Sequence, residues 1–294
     1  MRLSRFSSLR ETFCTCPPKY NLNTYLGRCG HRCLYCYAVK FPSFNGPPRP
    51  RLNLLHLIAD AAASTRPKLP VMLSDCTDPY QPLEARYKIT RVCVDALVTQ
   101  GFPLLIVTKS DLVVRDLDLL RKSRAVVAFT ITTLRKDLAS LVEPGAPTPS
   151  RRIAALKSVA ESGVYTAARI DPLIPTFNDD LKEIRELVAA LKDAGARHIT
   201  VSTLKPVRGF FNRLERADRE LADVLRRIYS AGELRLGYLY LPAPIRQRMV
   251  EEVRGVVLGY GLSFSSCREG LPHFNTSTCD GSSYCRPEYP LITR

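Results

Sequence analysis

The sequence predicts an α/β fold, a parallel sheet whose strands are joined by crossover helices. Three observations carry this expectation. Short β-branched runs alternate with helix-length amphipathic stretches about six times along the middle of the chain. Glycines stand where those helices should stop. The segments that follow the strands are polar, as they are where function sits at strand C-terminal ends. A partial (β/α)6 TIM-like barrel and an open doubly wound sheet both satisfy the pattern. No G-x-G-x-x-G follows the first strand, which counts against the dinucleotide-binding version.

Taken in order, a short first strand is placed near 21–25 and a proline-rich surface loop at 42–50. The strands that follow are 71–74, 104–108, 125–132, 165–170 and 198–202. Helical patterns fall at 53–65, 90–100, 111–122, 149–162, 179–194 and 217–230. Thr148-Pro149 suits an N-cap followed by proline in the first helical position. Gly101, Gly163 and Gly195 sit where a left-handed C-terminal cap is needed. After about residue 241 the character changes: one helix is expected at 245–260, then a Ser-, Pro- and Gly-containing tail over 263–294 with three cysteines. The expected organisation is a core over 1–240 with an N-terminal lead-in, and a C-terminal extension over 241–294 that is a candidate auxiliary metal site.

At 294 residues the chain has room for one large α/β domain or two small ones. The first residues, MRLSRFSSLRETF, contain no apolar stretch of signal-peptide length, and no apolar run approaches the ~18 residues of a membrane helix. The expectation is a cytoplasmic protein with no membrane partner. Ten cysteines in a reducing compartment point to metal or catalytic sites rather than disulfides. Lysine and arginine exceed aspartate and glutamate by 15. That excess suits a polyanionic partner, DNA or RNA, although a merely basic protein shows the same balance.

Cys29, Cys33 and Cys36 are spaced C-x3-C-x2-C within GRCGHRCLYCYAVKF. Three thiolates can hold three irons of a cubane and leave the fourth open to a ligand. Zinc, with His31 as a fourth ligand, is the competing reading, but zinc motifs favour paired C-x2-C units.

This signature followed by a βα pattern resembles the radical S-adenosylmethionine superfamily. The segments TDPYQPLEARYKITR (77–91), TKSDLVVRDLDLL (108–120), EPGAPTPSRRIAAL (143–156) and DPLIP (171–175) resemble its spore photoproduct lyase-like group, also called DNA repair photolyase-like. The resemblance covers about 20–205. It implies a partial (β/α)6 TIM-like barrel with a cysteine-containing C-terminal extension. It also implies a 4Fe-4S cluster on Cys29, Cys33 and Cys36, S-adenosylmethionine chelated at the open iron, and an electron donor such as ferredoxin or flavodoxin. Reductive cleavage would give methionine and a 5′-deoxyadenosyl radical that abstracts a substrate hydrogen.

Charge selects candidate cofactor contacts. Tyr35 precedes the last cysteine of the triad. Asp78 is placed to accept from an ammonium, with Lys109 as a carboxylate partner and Ser110 beside it. Thr130 and Thr132 end the fourth strand near the ribose, and Arg169 on the fifth is a further cation. The bland reading of each is a satisfied polar residue at a strand end. The loop Ser74-Asp75-Cys76-Thr77-Asp78 lacks the glycines usual in the superfamily. In spore photoproduct lyase a cysteine in this loop returns hydrogen to the product radical, and the resemblance places Cys76 in that catalytic role, against the reading of a small core residue. Cys93, inside a helix, is expected in the core.

Cys267, Cys279 and Cys285 are candidate metal ligands, with Cys14 or Cys16 as a fourth. An auxiliary iron–sulfur cluster, a structural zinc and plain thiols all stand as readings. Lys205, Arg208, Arg213, Arg216 and Arg219, interleaved with Phe210-Phe211, suit a nucleic-acid surface or a solvated helix face beside core phenylalanines. The leading expectation is a radical enzyme acting by hydrogen abstraction, with DNA or RNA as candidate substrate. The alternatives are radical modification of a peptide or small metabolite, and a non-catalytic iron–sulfur redox protein on nucleic acid.

Overall fold

The computed structural model describes residues 2–7 and 10–285. Eight strands make the central sheet: β1 (Ser4–Arg5), β2 (Tyr20–Leu22), β3 (Val71–Leu73), β4 (Leu104–Thr108), β5 (Ala125–Thr130), β6 (Tyr165–Leu173), β7 (His198–Thr203) and β8 (Ser263–Ser266), neighbours in that order. All pairs from β2 to β8 run parallel, and β1 closes the edge of β2 antiparallel. The sheet is a partial TIM-like barrel that does not close. Helices α1 (Leu54–Ser64), α2 (Ile89–Thr99), α3 (Pro149–Glu161), α4 (Leu181–Asp193), α5 (Arg219–Ile228) and α6 (Ala243–Gly259) lie between the strands in sequence. No helix among the described residues is long and apolar enough to cross a membrane.

Strand pleat divides the core in two. Leu104, Ile106, Val127, Phe129, Ala168, Ile170, Ile199 and Val201 belong to the large core that also contains the helices' buried faces. Their alternate neighbours, Leu105, Val126, Ala128 and Ala167, belong to a second, small apolar cluster on the opposite face. Strand β5 is consequently buried along its whole length, as parallel strands covered on both faces must be. On β7 and β8 the alternate positions are polar. His198 there contacts Ser263 Oγ at 2.9 Å and Ser265 Oγ at 2.9 Å.

The expected strands and most helices form where the patterns placed them. Pro149 opens α3 behind Thr148, but the Thr148 hydroxyl meets Ser150 Oγ rather than capping the helix. Asp180 does cap α4, accepting from Lys182 N and Glu183 N. Gly101, Gly163 and Gly195 all adopt positive φ. The helix expected over 111–122 is a 3-10 turn, Asp111–Asp116, followed by the short helix Leu117–Leu120. The tighter turn buries Val113 and Asp116 and starts from a Ser110 cap.

The tail contributes more than an appended segment. Strand β8 adds a seventh parallel strand beside β7, and α6 packs on α4 and β7. The strand SFSS lacks the branched apolar run that marks the others, which is why the sequence pattern passes over it. Beyond β8 the chain turns back across the small apolar cluster. Tyr284 stacks on Tyr165 with ring centroids 4.0 Å apart, and Arg169 Nη1 and Thr200 Oγ1 both donate to Cys279 O. Residues 276–285 thus fill the inner face of the open barrel.

Candidate active site

A cavity of about 360 Å³ opens at the C-terminal ends of the strands. Cys29, Cys33 and Cys36 form part of its wall, and Cys76, Asp78, Lys109, Thr130 and Arg169 line it from successive strand ends. Residues far apart in sequence meet here because parallel strands put all their C-terminal loops on one side.

The triad loop is held at several points. Gly30 N donates to Gln81 Oε1 at 2.9 Å, Leu34 N to Val142 O at 2.9 Å, and Gly145 N to His31 O at 2.9 Å. A Cβ on Gly145 would fall 2.3 Å from Gly30 O, so the approach of 142–145 to the loop requires glycine there. The Tyr35 hydroxyl donates to Glu143, whose other oxygen lies 2.5 Å from Arg152 Nη1. Both Glu143 and Arg152 are almost completely buried. The segments TDPYQPLE and EPGAP therefore both hold the triad loop. Glu84 within the first is a structural pin, accepting from Tyr25, Thr90 N and Arg115.

His31 is committed elsewhere. Its Nδ1 meets Gly145 O at 3.1 Å and its Nε2 lies 3.1 Å from Asp78 Oδ2. Among the described residues no three His, Cys, Asp or Glu side chains surround a single metal ion. The zinc reading of the triad with His31 loses its fourth ligand. A cubane would take its thiolates on different irons, so three cysteines lining one cavity fit such a cluster without meeting at a single ion. Burial raises the Cys29 thiol and pushes Cys33 up to about 12, with Lys109 opposing the shift at Cys33. Those are half-buried thiols on the cavity wall that a metal's charge would deprotonate.

Each remaining candidate has a definite place. Asp78 accepts from Thr108 Oγ1 and Lys109 N at 2.7 Å each and from Tyr80 N at 2.8 Å. Burial would raise its carboxyl, but facing His31 and these donors hold it below its ordinary value. With both oxygens engaged, Asp78 is a strut between the triad loop and β4, in place of the open ammonium acceptor expected. Lys109 Nζ has one distant ionic partner, Glu143 at 3.9 Å, and stands 5.5 Å above the Tyr35 ring. It lines the cavity as a cation without a close ion pair among the described residues. Ser110 does not line the cavity; its hydroxyl caps the following turn by accepting from Leu112 N at 3.2 Å. Thr130 lines the cavity, while Thr132 does not. Arg169 pairs with Asp171 at 2.7 Å and holds the tail through Cys279 O. The Thr77 hydroxyl, in the same cavity, lacks a hydrogen-bond partner among the described residues, as a position facing a polar ligand would.

Cys76 lines the cavity behind Asp75, whose carbonyl accepts from the Tyr37 hydroxyl. Burial, then Asp75, raises its thiol well above the ordinary value, so it stays S–H. Cys93 is fully buried in α2, as expected. Cys285 is not with Cys267 and Cys279. It belongs to the small apolar cluster with Leu105, Val126, Ala128 and Ala167, and its Sγ donates to Ser282 O. Cys279 instead meets Cys16 of the lead-in, with Cys267 beside Cys279 and Cys14 beside Cys16, and all four line the cavity.

In the basic-aromatic segment the phenylalanines pack inward while Arg208, Arg216 and Arg219 are exposed. Phe210 is buried, Phe211 packs on Tyr229, and Lys205 pairs with Glu269. Those phenylalanines offer no stacking platform. Basic side chains nevertheless enter the cavity: Arg28, Arg32 and Arg268 line it beside Lys109, and Nε and Nη2 of Arg268 have no hydrogen-bond partner among the described residues.

Comparison with known proteins follows the same geometry. Residues 24–188 match the family model of the radical SAM superfamily. An uncharacterized protein of Mycobacterium tuberculosis is 31% identical over 266 residues, covering 84% of this chain and 76% of that protein. A radical SAM Nalpha-GlyT isomerase of Pseudomonas phage M6 is 24% identical over 60% of this chain and 38% of its own length. Among solved structures, a spore photoproduct lyase variant superposes with a TM-score of 0.66 at 15% identity, over 84% of this chain and 75% of that one. At that identity the likeness shows the fold.

Proposed function

The chain belongs to the radical SAM superfamily, and from that premise we propose that it is an enzyme that abstracts hydrogen from a substrate in the cavity, with nucleic acid as the substrate class. The observation that carries the reading is the joint placement of the Cys29, Cys33 and Cys36 triad and Cys76 in one cavity. When bound, a 4Fe-4S cluster and S-adenosylmethionine together supply the electron and the carbon-centred radical for that abstraction.

The chain's own residues do the rest. Cys29, Cys33 and Cys36 would hold the cluster. Lys109 is placed to take the carboxylate of S-adenosylmethionine, and the Tyr35 ring, pinned through its hydroxyl, walls the site. Cys76 keeps a hydrogen on sulfur, ready for return to a carbon radical. The covered inner face of the barrel limits water in the cavity.

Support for nucleic acid comes from charge. The excess of 15 basic residues and the arginines at the cavity mouth favour a polyanion, and a base in a duplex would have to be flipped out to enter. The test is anaerobic reconstitution with reductant, S-adenosylmethionine and oligonucleotides deuterated at candidate positions. Deuterium in 5′-deoxyadenosine is the expected result. Cofactor cleavage that oligonucleotides neither stimulate nor label, with binding indifferent to salt, would overturn the substrate class. Absence of cleavage in fully loaded protein would overturn the enzyme.

A further inference from the structure

Four cysteines outside the triad meet at one place. Cys14 and Cys16 come from the lead-in, Cys267 follows β8, and Cys279 lies on the returning tail. Cys16 Sγ stands 3.9 Å from Cys279 Sγ across 263 residues of sequence. Cys14 lies beside Cys16, and Cys267 beside Cys279, each close enough to act on its neighbour's thiol. All four line the same cavity as Cys29, Cys33 and Cys36.

The backbone at this place is unusual for its residue types. Phe13, immediately before Cys14, has φ 58°, and Arg268, immediately after Cys267, has φ 59°. Side-chain-bearing residues seldom adopt the left-handed region, and such conformations gather where geometry serves a site. Arg32, inside the triad loop, shares the feature with φ 54°. The surroundings also supply charge. Lys19 is almost fully buried, pairs with Asp280 at 2.6 Å and stands near Cys16 and Cys279. Arg169 stands near Cys267. Cations beside thiols favour the thiolate that a metal binds.

We propose that Cys14, Cys16, Cys267 and Cys279 form a second, all-thiolate metal site on the wall of the cavity, separate from the radical-generating triad. Metal–sulfur bonds of about 2.3 Å in a tetrahedron place two sulfurs about 3.8 Å apart, which the Cys16–Cys279 separation matches. Among the described residues no three ligating side chains converge on one ion. The pair Cys16 and Cys279 is therefore the nucleus of the site, and side-chain rotation of the flanking Cys14 and Cys267 completes it on binding. A four-sulfur donor set selects iron–sulfur or zinc. Each thiol that ligates gives up its proton and keeps its oxidation state, so the cysteines supply charge and no electrons.

This site does not depend on the reading of the triad, so it is tested without it. Protein carrying Cys29→Ala, Cys33→Ala and Cys36→Ala is reconstituted anaerobically, once with iron and sulfide and once with zinc. Metal and labile sulfide are then counted per chain. Either iron with matching sulfide or a single zinc is the expected outcome, and which is retained identifies the occupant. Adding Cys16→Ser and Cys279→Ser should abolish retention. Alkylation guards against misfolding: in the triple variant, these four thiols should be protected when metal is loaded and react once a chelator is added. The proposal is overturned if the triple variant retains no metal, if retention survives loss of Cys16 and Cys279, or if peptide mapping finds these two joined as a disulfide in anaerobically purified protein. Wild-type protein that, after full reconstitution, carries metal at the triad alone and still cleaves S-adenosylmethionine would overturn this site and leave the radical reading standing.

Discussion

His31 Nε2 lies 3.1 Å from Asp78 Oδ2, and through this contact the loop bearing Cys29 and Cys33 is joined to the end of β4. The Asp78 carboxyl is depressed in the folded protein. A depressed acid stabilises fully above its unfolded value, about pH 4, and that stabilisation is lost as pH falls through the folded value. Asp78→Asn keeps the shape but turns an amide toward donors. Urea melts at neutral pH should show a loss of about 1.5–3 kcal/mol, the worth of hydrogen bonds to a charged carboxylate. The variant should also lose less on acidification than wild type. Equal acid sensitivity in the two proteins would show that the carboxylate contributes nothing.

Glu143 and Arg152 form the other brace of the triad, 2.5 Å apart and shielded from water. Glu143→Ala strands a buried guanidinium and releases Tyr35, so destabilisation of about 3–5 kcal/mol is expected. Adding Arg152→Met should recover part of that loss, because the stranded charge is gone. Additive losses in the double variant would mean that the two residues act independently.

Lys109 faces the cavity with its nearest anion 3.9 Å away. If it takes the S-adenosylmethionine carboxylate, Lys109→Met forfeits a charged hydrogen bond of about 1.5–3 kcal/mol, on the order of 10- to 100-fold in affinity. Equilibrium binding to cluster-loaded protein measures this, with an unchanged iron count as the control. Unaltered affinity would move the carboxylate contact elsewhere.

Cys76 should govern product identity more than cofactor cleavage. Cys76→Ala removes a sulfur-bound hydrogen from the cavity wall. The expected result is continued formation of 5′-deoxyadenosine with altered or trapped substrate products. Unchanged product partitioning would return Cys76 to a packing role.

What the sequence made legible divides along local and non-local lines. Strands such as Leu104–Thr108 are dense in branched apolar residues and fold where their pattern says. The triad is legible because its spacing is local. Asp78 was expected as a ligand because a carboxylate in a polar loop looks available; only the fold shows Thr108, Lys109 and His31 already around it. Ser110 looked like a cavity hydroxyl, yet its position opens a 3-10 turn and its oxygen is used there. The Cys16–Cys279 approach spans the chain, and no spacing within either segment announces it. The spacing of Cys267, Cys279 and Cys285 suggested one set, but the turn at Gly281 carries Cys285 away to the inner face of the barrel, where a Cβ on that glycine would meet Val126 at 3.0 Å.

Cys285 accordingly offers a test of the tail's packing. Its thiol is buried among Leu105, Val126, Ala128 and Ala167, a setting that calls for a small apolar volume and no metal. Cys285→Ala removes one sulfur from that cluster, so a loss of about 1 kcal/mol is expected from the missing contacts. Total metal per chain should be unchanged, because none of the proposed ligand sets includes this residue. A larger substituent separates packing from ligation. Cys285→Leu should destabilise more than Cys285→Ala, since overfilling a closed space displaces the segment carrying Tyr284 from Tyr165. Falling metal content in Cys285→Ala at unchanged stability would mean that this thiol belongs to the cysteine site after all.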